Sequence, residues 1–165
     1  MQARLGAVGL WGVFGVVVIL AQAIYRLAPM ALALRDQTLT AVQWGVLVLW
    51  VAFMGYSEGY RAFHKNFSPR VVARARHLAA TPRPLFVALA PLYCMGFFHA
   101  TRRRKIVSWS VTLGVIGLVI LVRQLAQPWR GIIDAGVVLG LAMGVVSIVH
   151  HAMGRAISVP PDVPA

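Results

Sequence analysis

The stretch PRPLFVALAPLYCMGFFHATRRRK, Pro82–Lys105, decides how this chain is arranged. It holds an apolar run, residues 85–101, between two blocks of positive charge. Lysine and arginine concentrate on the cytoplasmic side of membrane proteins, so both ends of this run favour the same side. The run is therefore predicted either to enter and leave a membrane on one side or to cross it against the charge rule.

The composition of the whole chain is typical of a membrane protein. Of its 165 residues, 59% are hydrophobic and 12% are charged, whereas a soluble domain carries about 25% charged residues. The apolar runs are continuous rather than alternating, which favours helices over a barrel. We therefore predict an all-α fold in which residues 1–165 form a single integral membrane domain.

Four apolar runs are long enough for membrane helices, which need about 17–25 residues. They are residues 5–25, 40–60, 106–122 and 132–150. Residues 85–101 add a re-entrant segment or a short fifth membrane helix, because Pro91 interrupts that run. The prediction is a polytopic helical protein with four transmembrane helices plus this segment. The proline-rich tail, residues 158–165, is predicted to be disordered.

The distribution of lysine and arginine distinguishes the two topologies. If residues 85–101 cross the membrane, the two sides carry nine and seven of the 16 basic residues. If they re-enter, the two sides carry 12 and four. The second distribution obeys the positive-inside rule. We therefore favour four spans in the cytoplasmic (inner) membrane with both termini in the cytoplasm, and a fifth full span is the alternative.

Residues 69–80 predict a short amphipathic helix in the basic cytoplasmic loop. Ser68 followed by Pro69 is a helix-start signal. The apolar residues that follow share one helical face, and Arg70 and Arg74 turn away from it. A basic amphipathic helix of this kind typically lies on the membrane surface.

The excess of basic residues predicts anionic lipid head groups as partners. Lysine and arginine total 16 against four acidic residues, and they cluster at the ends of the apolar runs. That position is typical of topology signals and lipid contacts rather than of a nucleic-acid-binding module. The predicted lipid-binding residues are Arg70, Arg74, Arg76, Arg102, Arg103, Arg104 and Lys105.

A glycine zipper is the clearest packing motif. Gly136, Gly140 and Gly144 recur at every fourth residue, so they form one flat stripe that allows close approach of another helix. The stripe either packs inside the bundle or forms an interface with a second copy of the chain or with another membrane protein.

A few polar residues form a possible polar site. Glu58, His99, His150 and His151 would share one membrane face in the four-span topology. Arg61, or an arginine of the helix over residues 69–80, is a predicted ion-pair partner for Glu58. Adjacent histidines on a helix diverge by about 100°, which does not suit convergence on a metal. No catalytic motif is recognisable, and we expect no catalytic residue, metal or cofactor.

These patterns predict a non-catalytic integral membrane protein. It would act as an assembly, scaffolding or regulatory subunit that packs through the glycine stripe and has a basic cytoplasmic surface. One alternative is a small oligomeric channel or transporter that uses residues 85–101 as a filter or gate. Another is an enzyme that modifies lipid head groups, with Glu58 and His99 as acid and base.

Overall fold

A computed structural model describes residues 5–154 and 159–163, and its regular secondary structure over these ranges is helical. The α-helices are α1 (Ala7–Leu32), α2 (Ala41–Met54), α3 (Ser68–Ala80), α4 (Pro84–Ala88), α5 (Ala90–Met95), α6 (Arg102–Val122) and α7 (Trp129–Met153). A 3₁₀ turn, Ala33–Asp36, follows α1. A π-helical segment, Gly55–Phe67, joins α2 to α3 without a break.

Three helical stretches of the described residues are long and apolar enough to cross a membrane. They are Ala7–Asp36, Arg102–Val122 and Trp129–Met153. An all-helical fold with helices able to cross a membrane by length and composition is thereby confirmed. The predicted helix over residues 40–60 is not among the three, because α2 has only 14 residues before the backbone widens into the π-helical segment.

α1 is longer than the predicted run, because it continues past residue 25 and through Pro29. A proline inside a helix removes one backbone hydrogen bond. The last turn of α1 packs against the start of α7, where a Cβ on Gly131 would lie 2.8 Å from the Met30 carbonyl oxygen. The Gln127 side chain also donates to that oxygen at 3.4 Å. These contacts hold the helical turn that follows the proline.

α7 packs against α1 on one side and against α2 and the π-helical segment on the other. α1 runs antiparallel to α7, whereas α2 and the π-helical segment run parallel to it. Side chains four and five residues apart meet glycines spaced by four, which suits the wider turn of a π-helix. The neighbours are Met54 and Gly136, Glu58 and Gly140, and Phe63 and Gly144.

α3 lies inside the bundle. Val71, Val72 and Ala75 are fully buried, and α3 packs against α1, α5 and α7. The closest approach is at Gly9, where an added Cβ would lie 2.9 Å from the Ala75 carbonyl oxygen. This buried position differs from the surface position predicted for residues 69–80, because other helices rather than lipid cover the apolar face.

Residues 85–101 form two short helices and a turn. α4 has five residues and α5 has six, with Pro91 in the first turn of α5. At about 1.5 Å per residue, residues 84–95 extend at most about 18 Å, less than a bilayer core of about 30 Å. α5 packs against α1, where an added Cβ on Gly12 would lie 2.7 Å from Cys94 Sγ.

α6 stands apart from the other helices. Only 11% of its most apolar window is buried, compared with 39% for α7. A Cβ added to Gly114 or Gly117 would meet no atom of the described chain within 4 Å. α6 is attached near its ends, where Ser108 Oγ donates to the Met95 carbonyl at 2.9 Å and Val122 is buried.

The C-terminal tail packs against the bundle between residues 159 and 163, although disorder was predicted for 158–165. Val163 packs on the hydrophobic core. The Thr101 backbone N–H, just before α6, donates to the Asp162 carbonyl at 3.0 Å. Specific partners therefore order a proline-rich segment that has no periodic pattern of its own. The remaining residues of the predicted tail lie outside the described ranges.

Candidate functional site

Arg74 is a fully buried charged residue. It lies at the end of the bundle that is predicted to face the cytoplasm. Its guanidinium lies 4.3 Å from the centroid of the Tyr93 ring. It donates to five backbone carbonyls, those of Tyr93 (2.6 Å), Phe98 (3.1 Å), His99 (3.0 Å), Pro161 (2.9 Å) and Asp162 (3.4 Å). Burial lowers the pKa of Arg74, and Tyr93, Cys94 and Asp162 oppose this effect. An arginine nevertheless stays charged in a protein.

The turn after α5 directs carbonyl groups toward Arg74. Gly96 ends α5 at a φ of 84°, and His99 has a φ of 45°. Such a conformation costs a non-glycine residue about 1–3 kcal/mol. The hydrogen bonds that Arg74 donates to Phe98 and His99 help to offset this cost. Arg74 and the turn therefore depend on one another.

Two further arginines complete what we call the arginine site, defined as Arg70, Arg74 and Arg104. Arg70 Nε lies 3.5 Å from Asp162 Oδ2. Arg104 is 8% exposed, and its Nε has no hydrogen-bond partner among the described atoms. Arg70 and Arg74 repel the Arg104 charge, whereas Asp162 attracts it. The Asp162 carboxylate thus pairs with Arg70 and also attracts the charges of Arg74 and Arg104.

The predicted lipid-binding residues divide by burial. Arg102, Arg103 and Lys105 are exposed, as contact with head groups requires. Arg74 and Arg104 are buried, which differs from the surface contact predicted for them. Arg74 is enclosed because α3 packs inside the bundle, and Arg104 lies against the turn after α5, where an added Cβ on Gly96 would be 3.0 Å from its Nε. The partly exposed members are Arg70 and Arg76.

A second polar group, the histidine cluster, consists of His64, His150 and His151. The ring centroid of His64 lies 4.9 Å from that of His151 and 6.1 Å from that of His150. Ser147 joins them, because its Oγ lies 3.0 Å from His64 Nδ1 and its carbonyl accepts from His151 Nδ1 at 2.8 Å. In the described part of the chain, no three His, Cys, Asp or Glu side chains are arranged to hold a metal ion.

His64 was not predicted to join this cluster. It follows the predicted membrane helix over residues 40–60 by four positions, in what reads as a basic loop. The π-helical segment turns it toward α7. The apolar periodicity of an α-helix does not indicate where a π-helical turn occurs. The position of His64 beside His150 and His151 could therefore be found only from the tertiary structure.

Lowering the pH is expected to destabilise the protein through His64. Burial, His151, His150 and Lys65 all lower the pKa of His64 in the folded protein. Folding favours the neutral form of the His64 imidazole. The stabilisation from His64 is therefore fully present above its ordinary pKa of about 6.5, and it is lost as the pH falls through the lower pKa that His64 has in the folded protein. The melting temperature in detergent should fall between about pH 7.5 and pH 5.5, and His64→Gln should reduce that fall.

The matched control for this pH dependence is His77→Gln, a histidine of α3 outside the cluster. It should leave the pH dependence of the melting temperature as in the unmodified chain. An undiminished fall in His64→Gln would contradict the assignment.

The predicted polar site is divided in the structure. Glu58 packs beside Gly140, halfway along α7, and ten residues of α7, about 15 Å, separate that level from His150. His99 lies with Tyr93 beside Arg74. Of the four predicted residues, only His150 and His151 lie together. The ion pairs among the described residues do not include the predicted pair of Glu58 with Arg61.

Comparisons with protein-family models, with curated proteins and with solved structures find no match for this chain. Its class therefore rests on its own architecture. The described residues form a helical bundle with three helices able to cross a membrane by length and composition, which is consistent with a membrane protein.

Proposed function

We propose that the chain is a non-catalytic integral membrane protein that acts as an assembly, scaffolding or regulatory subunit. The observation that carries this proposal is the exposure of α6, a membrane-length apolar helix that its own chain leaves largely uncovered. Ser110, Gly114 and Gly117 share one face of α6 at i, i+4 and i+7, and all three are exposed. Small residues on one face allow another membrane helix to approach closely.

The glycine stripe on α7 supports packing within the chain rather than between chains. Gly136, Gly140 and Gly144 are buried against side chains of α2 and the π-helical segment. Since that surface is occupied, we propose that α6, rather than the stripe, contacts a second copy or another membrane protein.

The proposed topology has four membrane crossings, a re-entrant segment over residues 85–101 and both termini in the cytoplasm. Contacts between helix ends support it, because Gly9 lies near Ala75 at one end and Gly131 lies near Leu34 at the other. The far end then carries only four of the 16 basic residues, in agreement with the positive-inside rule. Those four are Arg26, Arg35, Arg123 and Arg130.

The exposed basic residues at the start of α6 would contact anionic lipids on the cytoplasmic side. Each of Arg102, Arg103 and Lys105 would contribute about 1 kcal/mol near an anionic surface. This attraction would orient the subunit in the membrane and is independent of the partner that α6 meets.

The partner contact is tested by placing a photo-crosslinking amino acid at Gly114 or Gly117 in the native membrane. We expect one discrete adduct, either at twice the chain mass or with a single membrane protein, because this face is proposed to lie in an interface. The matched position is Val146 on α7, which is 68% exposed and should cross-link only to lipid. Adducts at Val146 alone, or lipid adducts at every position, would contradict the proposal.

A small oligomeric channel or transporter is the second candidate, and Glu58 is the observation that favours it. Glu58, in the π-helical segment, packs beside Gly140 at the midpoint of α7. Carboxylates at membrane depth are costly and commonly functional. Cation flux in proteoliposomes that Glu58→Gln abolishes would favour this candidate over the subunit. The lipid-modifying enzyme has less support, because sixteen residues of helix, about 24 Å, separate Glu58 from Arg74 beside His99.

A further inference from the structure

We propose that the arginine site binds a phosphate-bearing anion, and that the C-terminal tail occupies this site with the Asp162 carboxylate as an internal competitor. This inference concerns a different surface from α6 and stands without the subunit role proposed above. It rests on how the donors of the three arginines are divided, on their burial and on their charge.

The donors of Arg74 are divided between the body of the protein and the tail. Nε and Nη2 donate to carbonyls of Tyr93, Phe98 and His99, so the turn after α5 fixes the guanidinium plane. Nη1 donates only to tail carbonyls among the described residues, at 2.9 and 3.4 Å. Release of the tail would therefore free one edge of a guanidinium that stays correctly oriented.

The site holds one donor that the tail does not use and another that release of the tail would free. Arg104 is more than nine-tenths buried, and its Nε has no hydrogen-bond partner among the described atoms. The Thr101 N–H, which precedes the first turn of α6, is occupied by the Asp162 carbonyl. The N-terminus of a helix favours negative charge. Each of these groups would donate to the oxygens of a bound anion.

The charge of the site favours an anion with more negative charge than one carboxylate. Arg70, Arg74 and Arg104 carry three positive charges, and Asp162 is the acid that acts on them. A phosphate monoester carries about −1.5 to −2 charges at pH 7 and three acceptor oxygens. Arginine forms particularly good paired hydrogen bonds with phosphate. A monoester would therefore balance this cluster better than Asp162 does.

The tail is held loosely enough to be displaced. Its ion pair with Arg70 joins side chains that are 34% and 29% exposed, at 3.5 Å, and such pairs contribute little to stability. Asp162 also has a φ of 50°, a conformation that non-glycine residues rarely adopt. A ligand would compete with a few hydrogen bonds, one weak ion pair and the packing of Val163 on the core, rather than with a packed helix.

The test measures binding of inorganic phosphate to the full-length protein in a neutral detergent. Asp162→Asn should bind phosphate about tenfold more tightly than the unmodified chain, because charge-assisted hydrogen bonds would no longer compete with an internal carboxylate. Deletion of residues 155–165 should have the same effect by a separate route. Adding Arg104→Gln to Asp162→Asn should remove the gain.

The matched control is Asp36→Asn, which changes the net charge equally at an exposed residue near the opposite end of the bundle. It should leave phosphate binding unchanged. Equal gains in Asp36→Asn and Asp162→Asn would overturn the proposal, since net charge alone would then explain both. The melting temperature of each variant identifies any change that comes from misfolding.

A second arm distinguishes a lipid head group from free phosphate. Asp162→Asn is placed in phosphatidylcholine nanodiscs that contain a minor fraction of phosphatidic acid, a monoester, or of phosphatidylglycerol, a diester. Selective retention of phosphatidic acid without binding of free phosphate would identify a lipid as the source of the ligand. Binding of free phosphate alone would identify a soluble anion. Binding of neither would overturn the proposal.

Discussion

Gly136→Val is expected to destabilise the protein by about 3 kcal/mol or more, enough to prevent recovery of a folded form in detergent. A Cβ at this position would lie 2.5 Å from Trp50 Nε1 and 2.9 Å from Met54 Cγ. Trp50 has little freedom to move, because its indole N–H donates to the Ile133 carbonyl at 3.1 Å. The substitution therefore forces α2 away from α7 and breaks that bond. Thermal unfolding followed by tryptophan fluorescence measures the loss.

The matched control is Gly114→Val on α6, where an added Cβ meets no described atom within 4 Å. Its stability as a monomer should change by less than about 0.5 kcal/mol, as for other substitutions away from packed sites. An equal loss in both variants would mean that helix propensity, rather than the seam between α2 and α7, sets the effect. That result would contradict our description of the seam.

Arg74→Met is expected to cost about 3–5 kcal/mol, the range for removing one member of a buried charged network. Methionine fills much of the same volume but donates no hydrogen bond. The carbonyls of Tyr93, Phe98 and His99 would remain buried without the donor that Arg74 now supplies. The melting temperature in detergent and the protease sensitivity of the turn after α5 should both report the loss.

Two companions make the Arg74 prediction specific. Arg103→Met removes an exposed arginine at the start of α6 and should change stability by less than about 0.5 kcal/mol. Arg74→Lys keeps the charge but lacks the planar fork, so it should recover only part of the loss. A melting temperature for Arg74→Met equal to that of Arg103→Met would show that the buried guanidinium is not a structural centre.

Local sequence rules predicted the apolar helices well. Long apolar runs correspond to α1, α6 and α7, because a chain in a bilayer must satisfy its backbone hydrogen bonds internally. The interruption at Pro91 also follows from one residue, since proline lacks a backbone donor. Neither prediction required knowledge of what packs against the segment.

The candidate site was predicted less well, because it depends on partners that are distant in the chain. The apolar residues of α3 share one face and Arg74 turns away from it, so the sequence predicted contact with lipid head groups, whereas Arg74 is fully buried. Its surroundings are decided by the turn after α5 and by the tail, which supply the five carbonyls. His64 is a similar case, since only the π-helical turn directs it toward Ser147.

Composition and apolar periodicity by themselves determined that this protein is all-helical and suited to a membrane, because those properties follow from the transfer of each segment out of water. Only the tertiary structure decided that the glycine stripe is filled by the same chain, that Glu58 lies away from the histidines, and that α3 and the tail enclose Arg74. The physical reason is that burial of a polar group depends on partners brought together by packing, and no local pattern in the sequence records those partners.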